Sequence, residues 1–158
     1  MKQILISILF ISAFQARANE KDVLSYDLRD SIVNFAGHYL GTPYLYAGAT
    51  EKGFDCTGFV YFVFNHFGIK TSRASSGYES VGEKRETENA LAGDIILFTG
   101  TNSEIRKVGH AGIIYTSKDG EIYFIHSSSS KNHYGVTITH FNESAGYQKR
   151  FLRIINIL

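Results

Sequence analysis

Cysteine and proline are nearly missing from this chain, with one of each in 158 residues. A single cysteine excludes an internal disulfide, so Cys56 is either a small buried apolar residue or a thiol used for chemistry. One proline, with 20% charged and 44% hydrophobic residues, argues against disorder and for one ordinary folded domain. An excess of one charge is missing too. Lys and Arg number 16 against 15 Asp and Glu, which leaves no footprint for nucleic acid or an anionic membrane surface. Lys149-Arg150 and Arg153 form a small basic cluster that reads as a solvated strand face. There is no internal repeat, and only Ser127 to Ser130 is of low complexity.

Long apolar runs are missing as well. Ile4 to Phe14 is too short to span a bilayer. With Lys2 before it and Ala16-Arg17-Ala18 after it, the run reads as a secretory signal over residues 1–18, cleaved before Asn19, ahead of a domain over 19–158. The alternative is an uncleaved interfacial anchor. No cysteine lies near the cleavage point, so the lipoprotein route is closed and no stable membrane anchor is expected once the signal is removed. Loss of Lys2 and Arg17 turns the formal charge slightly negative. Outside the cytosol, a cysteine without a partner points to a reactive thiol.

What is present falls into two halves. Ser25 or Asp27 could cap a helix to about Leu40, with Leu28, Ile32, Phe35, Ala36 and Tyr39 on one face. Gly41-Thr42-Pro43 stops it. A short extended piece, Tyr44-Leu45-Tyr46, leads into a polar loop and a second helix, Cys56 to Phe67, with Gly68 as its left-handed cap. Ile69 to Ala90 reads as a surface loop with one helical turn. Strands follow at Asp94–Phe98, Val108–Thr116, Glu121–His126 and Gly135–Thr139, and Gln148 to Ile157 is β-rich. Ser117-Lys118-Asp119-Gly120 is a hairpin turn between the second and third of these. Helices followed by about five mostly antiparallel strands predict an α+β domain.

Cys56 then stands at the first turn of a helix, where free backbone N–H groups favour a thiolate. Of six histidines, His38, His66, His133 and His140 read as structural or solvated. His110 and His126 fall in the two arms of one hairpin, so one sheet can hold them side by side, and small residues flank His110. A thiol needs an imidazole to stabilise its thiolate and return the proton to the leaving amine. A third polar group fixes which ring nitrogen faces the sulfur, and a second histidine can do this. Helix-start N–H groups, with Tyr44 or Tyr46, would face the oxyanion. A zinc site is chemically conceivable, but no His-Glu-x-x-His or paired-cysteine spacing occurs, nor a Gly-x-Ser-x-Gly elbow.

Five segments together resemble the NlpC/P60 cell-wall cysteine peptidases: Gly41-Thr42-Pro43-Tyr44-Leu45-Tyr46-Ala47-Gly48, Asp55-Cys56-Thr57-Gly58-Phe59-Val60, Ala92-Gly93-Asp94-Ile95-Ile96-Leu97-Phe98, Gly109-His110-Ala111-Gly112-Ile113-Ile114-Tyr115 and Phe124-Ile125-His126-Ser127-Ser128. The resemblance implies a papain-like fold with Cys56 as nucleophile, His110 as base, His126 as orienting residue and Tyr44 at the oxyanion site. It implies cleavage of peptidoglycan stem peptides, typically between γ-D-glutamate and the following diamino acid, with no cofactor and no metal. Asp55 and Thr57 match positions that recognise the free amino end of the stem peptide, and Arg73 matches an arginine after the nucleophile helix. Ala47, Ala92 and Tyr78 depart from the pattern, where glycine, proline and glutamine are usual, and bear on substrate preference. The expected place is the periplasm or cell envelope of a bacterium. Targeting is expected to come from the cleft or from a partner protein, a separate inhibitor protein being a further expected partner. Alternatives of the same fold are an amidase, an acyl transferase, an antibacterial toxin or a wall-binding module without turnover.

Overall fold

The structure, a computed structural model, describes residues 23–131 and 133–158. The expected signal segment lies outside the described residues. Helix α1 covers residues 23–37, so Ser25 and Asp27 lie inside it rather than capping it. It also ends earlier than Leu40. His38, Tyr39 and Leu40 donate to the carbonyls three residues back, at 3.2, 3.1 and 3.2 Å, and the tightened turn closes at Gly41 with φ 83°. His38 therefore belongs to a turn.

A two-stranded ribbon follows, β1 (Ala49–Thr50) with β2 (Gly53–Phe54), and then α2 (Cys56–His66). Helix α2 is capped at both ends by local chemistry. Asp55 accepts the Gly58 N–H at 2.6 Å. At the other end Gly68 has φ 72°, its N–H bonds Asn65 O at 3.0 Å, and the Ile69 N–H bonds Phe64 O at 3.0 Å. That crossed pair is the glycine-ended cap the sequence predicts.

The sheet is six-stranded and antiparallel, in the order β3 (Glu83–Arg85), β8 (Phe151–Asn156), β4 (Ile95–Thr99), β5 (Val108–Lys118), β6 (Glu121–Ser128), β7 (Gly135–His140). The expectation of about five strands misses β3. Polar and exposed, that short edge strand carries no apolar alternation to betray it, yet it pairs with β8. A second difference lies at 145–150. The basic stretch forms a short helix, α3 (Ala145–Arg150), before β8 begins. The hairpin turn is tighter than expected, because Lys118 pairs with Glu121 and only Asp119 and Gly120, φ 55° and 83°, lie between. Ser127 and Ser128 are buried strand residues of β6, not loop.

Both faces of the sheet are covered, which is why all five residues of β4 are buried. On one face α1 and α2 pack Ile32, Ala36, Phe59, Val63 and Phe64 against Ile95, Leu97, Ala111, Ile113 and Ile125. Each such large side chain removed from water contributes about 1.5–3 kcal/mol. On the other, Ile96, Phe98, Ile114, Phe124 and Ile154 pack under Phe141, Tyr147 and Phe151. Arg29 of α1 reaches the sheet through a buried ion pair with Asp94 at 2.9 Å, and Arg85 pairs with the same carboxylate at 2.8 Å. Removing one partner would strand a buried charge, so this cluster fixes α1 against the strand ends. Among the described residues no helix is long and apolar enough to cross a membrane.

Candidate active site

The site begins where the sheet opens. Strands β5 and β6 are paired from the hairpin up to Ile113 opposite Ile125, and the ladder stops there. Beyond it the start of α2 comes in, close enough for the Ala111 backbone N–H to act on the Cys56 sulfur. The approach is close at the helix start, since a Cβ on Gly58 would lie 1.9 Å from the Gly48 carbonyl oxygen. Only glycine fits there. The segment before Cys56 is tied to β6 by the Ser127 hydroxyl, which donates to Phe54 O at 2.7 Å.

His110 and His126 do meet. Nε2 of His110 lies 2.9 Å from Nδ1 of His126, with the rings at 88° to one another. His126 Nε2 lies 2.9 Å from the Thr139 hydroxyl on β7. A chain of polar atoms therefore runs from His110 through His126 to Thr139. Both imidazoles are buried, at 9% and 1% exposure. Among the described residues no hydrogen bond takes up Nδ1 of His110.

The electrostatics differ from the expected preformed thiolate. Burial pushes the Cys56 thiol up, and the Asp55 carboxylate adds to the push. The N–H groups of Ala111, Thr57 and Cys56 itself pull the other way without winning. Burial likewise lowers His110 to about 3, with the Arg150 cation adding to it, and holds His126 well below its ordinary value. Both shifts favour the neutral forms, thiol and imidazole, over the ion pair. Helix-start N–H groups are present as predicted, but at a closed site desolvation outweighs them.

Tyr44 sits half-buried on a single bridge to Phe54, its backbone oxygen accepting from the Tyr134 hydroxyl at 2.8 Å. Burial and the nearby Cys56 both push its phenol up, so the ring is within electrostatic reach of the thiol. Tyr46, the other phenol considered, is 86% exposed. Asp55, Thr57 and Arg73 form one cluster. Arg73 grips Asp55 through both nitrogens, at 2.9 and 2.7 Å, and touches Thr57 Oγ1 at 3.0 Å. Asp55 thereby serves both as helix cap and as counterion.

Of the histidines set aside, His66 stacks on Phe35 and His140 on Tyr123, His140 also pairing with Glu121 and Glu143. Among the described residues no three His, Cys, Asp or Glu side chains converge as a bound metal ion would need. Sequence reasoning missed Thr139, Tyr147 and Arg150. The Tyr147 ring lies 5.7 Å from His110 and 5.2 Å from His126. Arg150 sits 5.3 Å over that ring and donates to Thr99 O at 3.3 and 2.9 Å. Arg153 donates to the carbonyls of Tyr78 and Glu79. Neither arginine is a solvated strand residue. Thr139 did have a signal: it lies on the alternating run of β7 that faces β6.

An α+β domain with a cysteine at a helix start and two hydrogen-bonded histidines on neighbouring strands is a recognisable class of fold. The model of the NlpC/P60 family matches residues 41–156, and the chain belongs to that family. The chain is 36% identical over 114 residues to a gamma-DL-glutamyl hydrolase of Bacillus subtilis (strain 168), covering 71% of this chain and 25% of that one. It is 32% identical over 143 residues to the murein DD-endopeptidase MepS/murein LD-carboxypeptidase of Escherichia coli (strain K12), covering 89% and 70%. An NlpC/P60 family protein from Bacillus cereus ATCC 10987 superposes with a TM-score of 0.71 at 28% identity, over 82% of this chain and 40% of that one. The chain thus spans a quarter of the first relative and less than half of that solved structure.

Proposed function

We propose that the chain is an exported cysteine endopeptidase that hydrolyses peptidoglycan stem peptides, with Cys56, His110 and His126 as its triad. The observation that carries this reading is the 2.9 Å contact of His110 Nε2 with His126 Nδ1, with the backbone of Ala111, the residue after His110, acting on the helix-start Cys56 thiol. For His110 Nδ1 to take the thiol proton, its Nε2 must carry the ring hydrogen and donate to His126 Nδ1. His126 then carries its own hydrogen on Nε2 and donates to the Thr139 hydroxyl. Each partner fixes the tautomer of the next. Sulfur attacks the carbonyl as its proton moves to His110. The imidazolium returns that proton to the leaving amine, and water then hydrolyses the thioester, with His110 again as base. The N–H groups at the start of α2 and the Tyr44 phenol would stabilise the oxyanion.

Asp55, with Thr57 and Arg73, offers a carboxylate beside the thiol for the free amino end of the stem peptide. The bond at γ-D-glutamate is the favoured cut, since one relative is named for a gamma-DL-glutamyl bond. The E. coli relative, which this chain matches over 89% of its own length, is named for DD and LD cuts, and that supports a second reading of the bond. Mass spectrometry of fragments released from purified sacculi and from a defined stem tetrapeptide tests both. Fragments ending in γ-D-glutamate support the first reading, DD or LD products the second, and intact substrate would reject turnover. Export with cleavage before Asn19 is proposed from Ala16-Arg17-Ala18. Mature protein that still begins at Met1 on N-terminal sequencing would rule it out. The expected place of action is the cell envelope.

A further inference from the structure

His110 and His126 pack beside Phe98 and Phe124, where α3 covers the sheet. Tyr147 packs its ring on Phe98 and Phe124, both at 5.0 Å, and so stands over His110 and His126 together. Arg150, one turn further along α3, is locked onto the end of β4 by its two bonds to Thr99 O and lies over the outer face of the Tyr147 ring. Nothing in the bond-breaking chemistry requires α3, yet each of its inward side chains bears on the two imidazoles.

From this arrangement we infer that Tyr147 and Arg150 are positioning residues, a cap that keeps water from the His110–His126 hydrogen bond and sets a fixed positive charge beside it. The inference rests on the proposed role of that pair. Water reaching His110 Nε2 would compete with His126 for its hydrogen and free the ring to turn or change tautomer. Shut away from water, the same bond is stronger and the ring stays in one orientation. The charge bears on protonation: a cation nearby disfavours imidazolium, so it favours the neutral form of His110 at rest while making that ring a weaker base. The charged and titratable groups bearing on the pair are Arg150 from α3 and His133 from the β6–β7 loop, while Cys56 at the start of α2 lies by the backbone of Ala111, next to His110.

Three variants test the cap. In Tyr147→Ala, kcat on the stem tetrapeptide should fall about tenfold or more while KM changes little, a loss on the scale of impaired acid–base catalysis. Tyr147→Phe keeps the ring and should recover most of the lost turnover. In Arg150→Gln the acid limb of kcat/KM should move to higher pH by roughly half to one unit, because protonated His110 cannot accept the thiol proton and its affinity for a proton rises once the cation is gone. NMR titration of the imidazoles of His110 and His126 in resting protein should move in the same direction. That readout needs neither substrate nor Tyr147→Ala to fold. A protein that cut no stem peptide would sink the function proposed above yet leave the titration to decide this inference. Imidazole titration and acid limb unmoved in Arg150→Gln, or folded Tyr147→Ala with wild-type turnover, would overturn it.

Discussion

Gly112 and His126 touch across β5 and β6. A Cβ added at Gly112 would sit 3.2 Å from the His126 Cβ, 3.1 Å from the Ile125 carbonyl oxygen and 2.8 Å from the Phe124 ring. This close approach lets His126 lean over β5 to reach His110, two residues before Gly112. Gly112→Ala should therefore displace His126. We expect a melting temperature lowered by overpacking worth about 1–3 kcal/mol, and turnover reduced by more than that loss of folded protein accounts for. Thermal melts beside kcat measured well below the melting temperature check it.

The tautomer chain orders the damage done by substitutions. His110→Ala should be the most harmful of the strand variants, since no nearby group would remain to accept and return the proton. His126→Ala should keep substrate binding and lose turnover. His126→Asn or His126→Gln should retain part of the rate, because an amide oxygen can accept the same N–H. Thr139→Val should cost less than His126→Ala, and Thr139→Ser should restore the loss, as its hydroxyl still accepts from His126 Nε2. The order matters more than the sizes, since residues acting as a unit do not add. Wild-type cleavage by His126→Ala would disprove the triad.

Cys56 should titrate late. Because burial raises its pKa above 9.0, its iodoacetamide reaction in the resting enzyme should still be accelerating at pH 9, with no plateau at neutral pH. Asp55→Asn removes the neighbouring charge but keeps an oxygen to cap α2, so it should shift that profile to lower pH. Alkylation should abolish activity whereas EDTA should not. Activity lost to chelator and restored by zinc would move the assignment to a metal site.

Ala47 carries strain. Its φ of 59° is left-handed, a conformation costing roughly 1 kcal/mol or more outside glycine. Ala47→Gly should raise stability, by less than that figure because glycine gains freedom in the unfolded chain. Urea titrations at matched conditions check the sign, and a lower midpoint would show that the turn is not strained.

The sequence by itself determined what is local or periodic. The α2 caps follow from Asp55 and Gly68, the hairpin from Asp119-Gly120, and the doubly buried β4 from its unbroken apolar run, because each is decided by groups a few residues apart. His110 and His126 could be placed on one sheet for the same reason, since a hairpin fixes which residues neighbour each other. The tertiary structure alone decided how the site is closed. Strand β3 and helix α3 have too little apolar pattern to be read, and they form because β8 and the aromatic face of the sheet receive them. The pKa of Cys56 followed the same division. Its place at a helix start was legible, which argued for a thiolate, but the extent of its burial depends on packing against β5, and that burial pushes the thiol's pKa up.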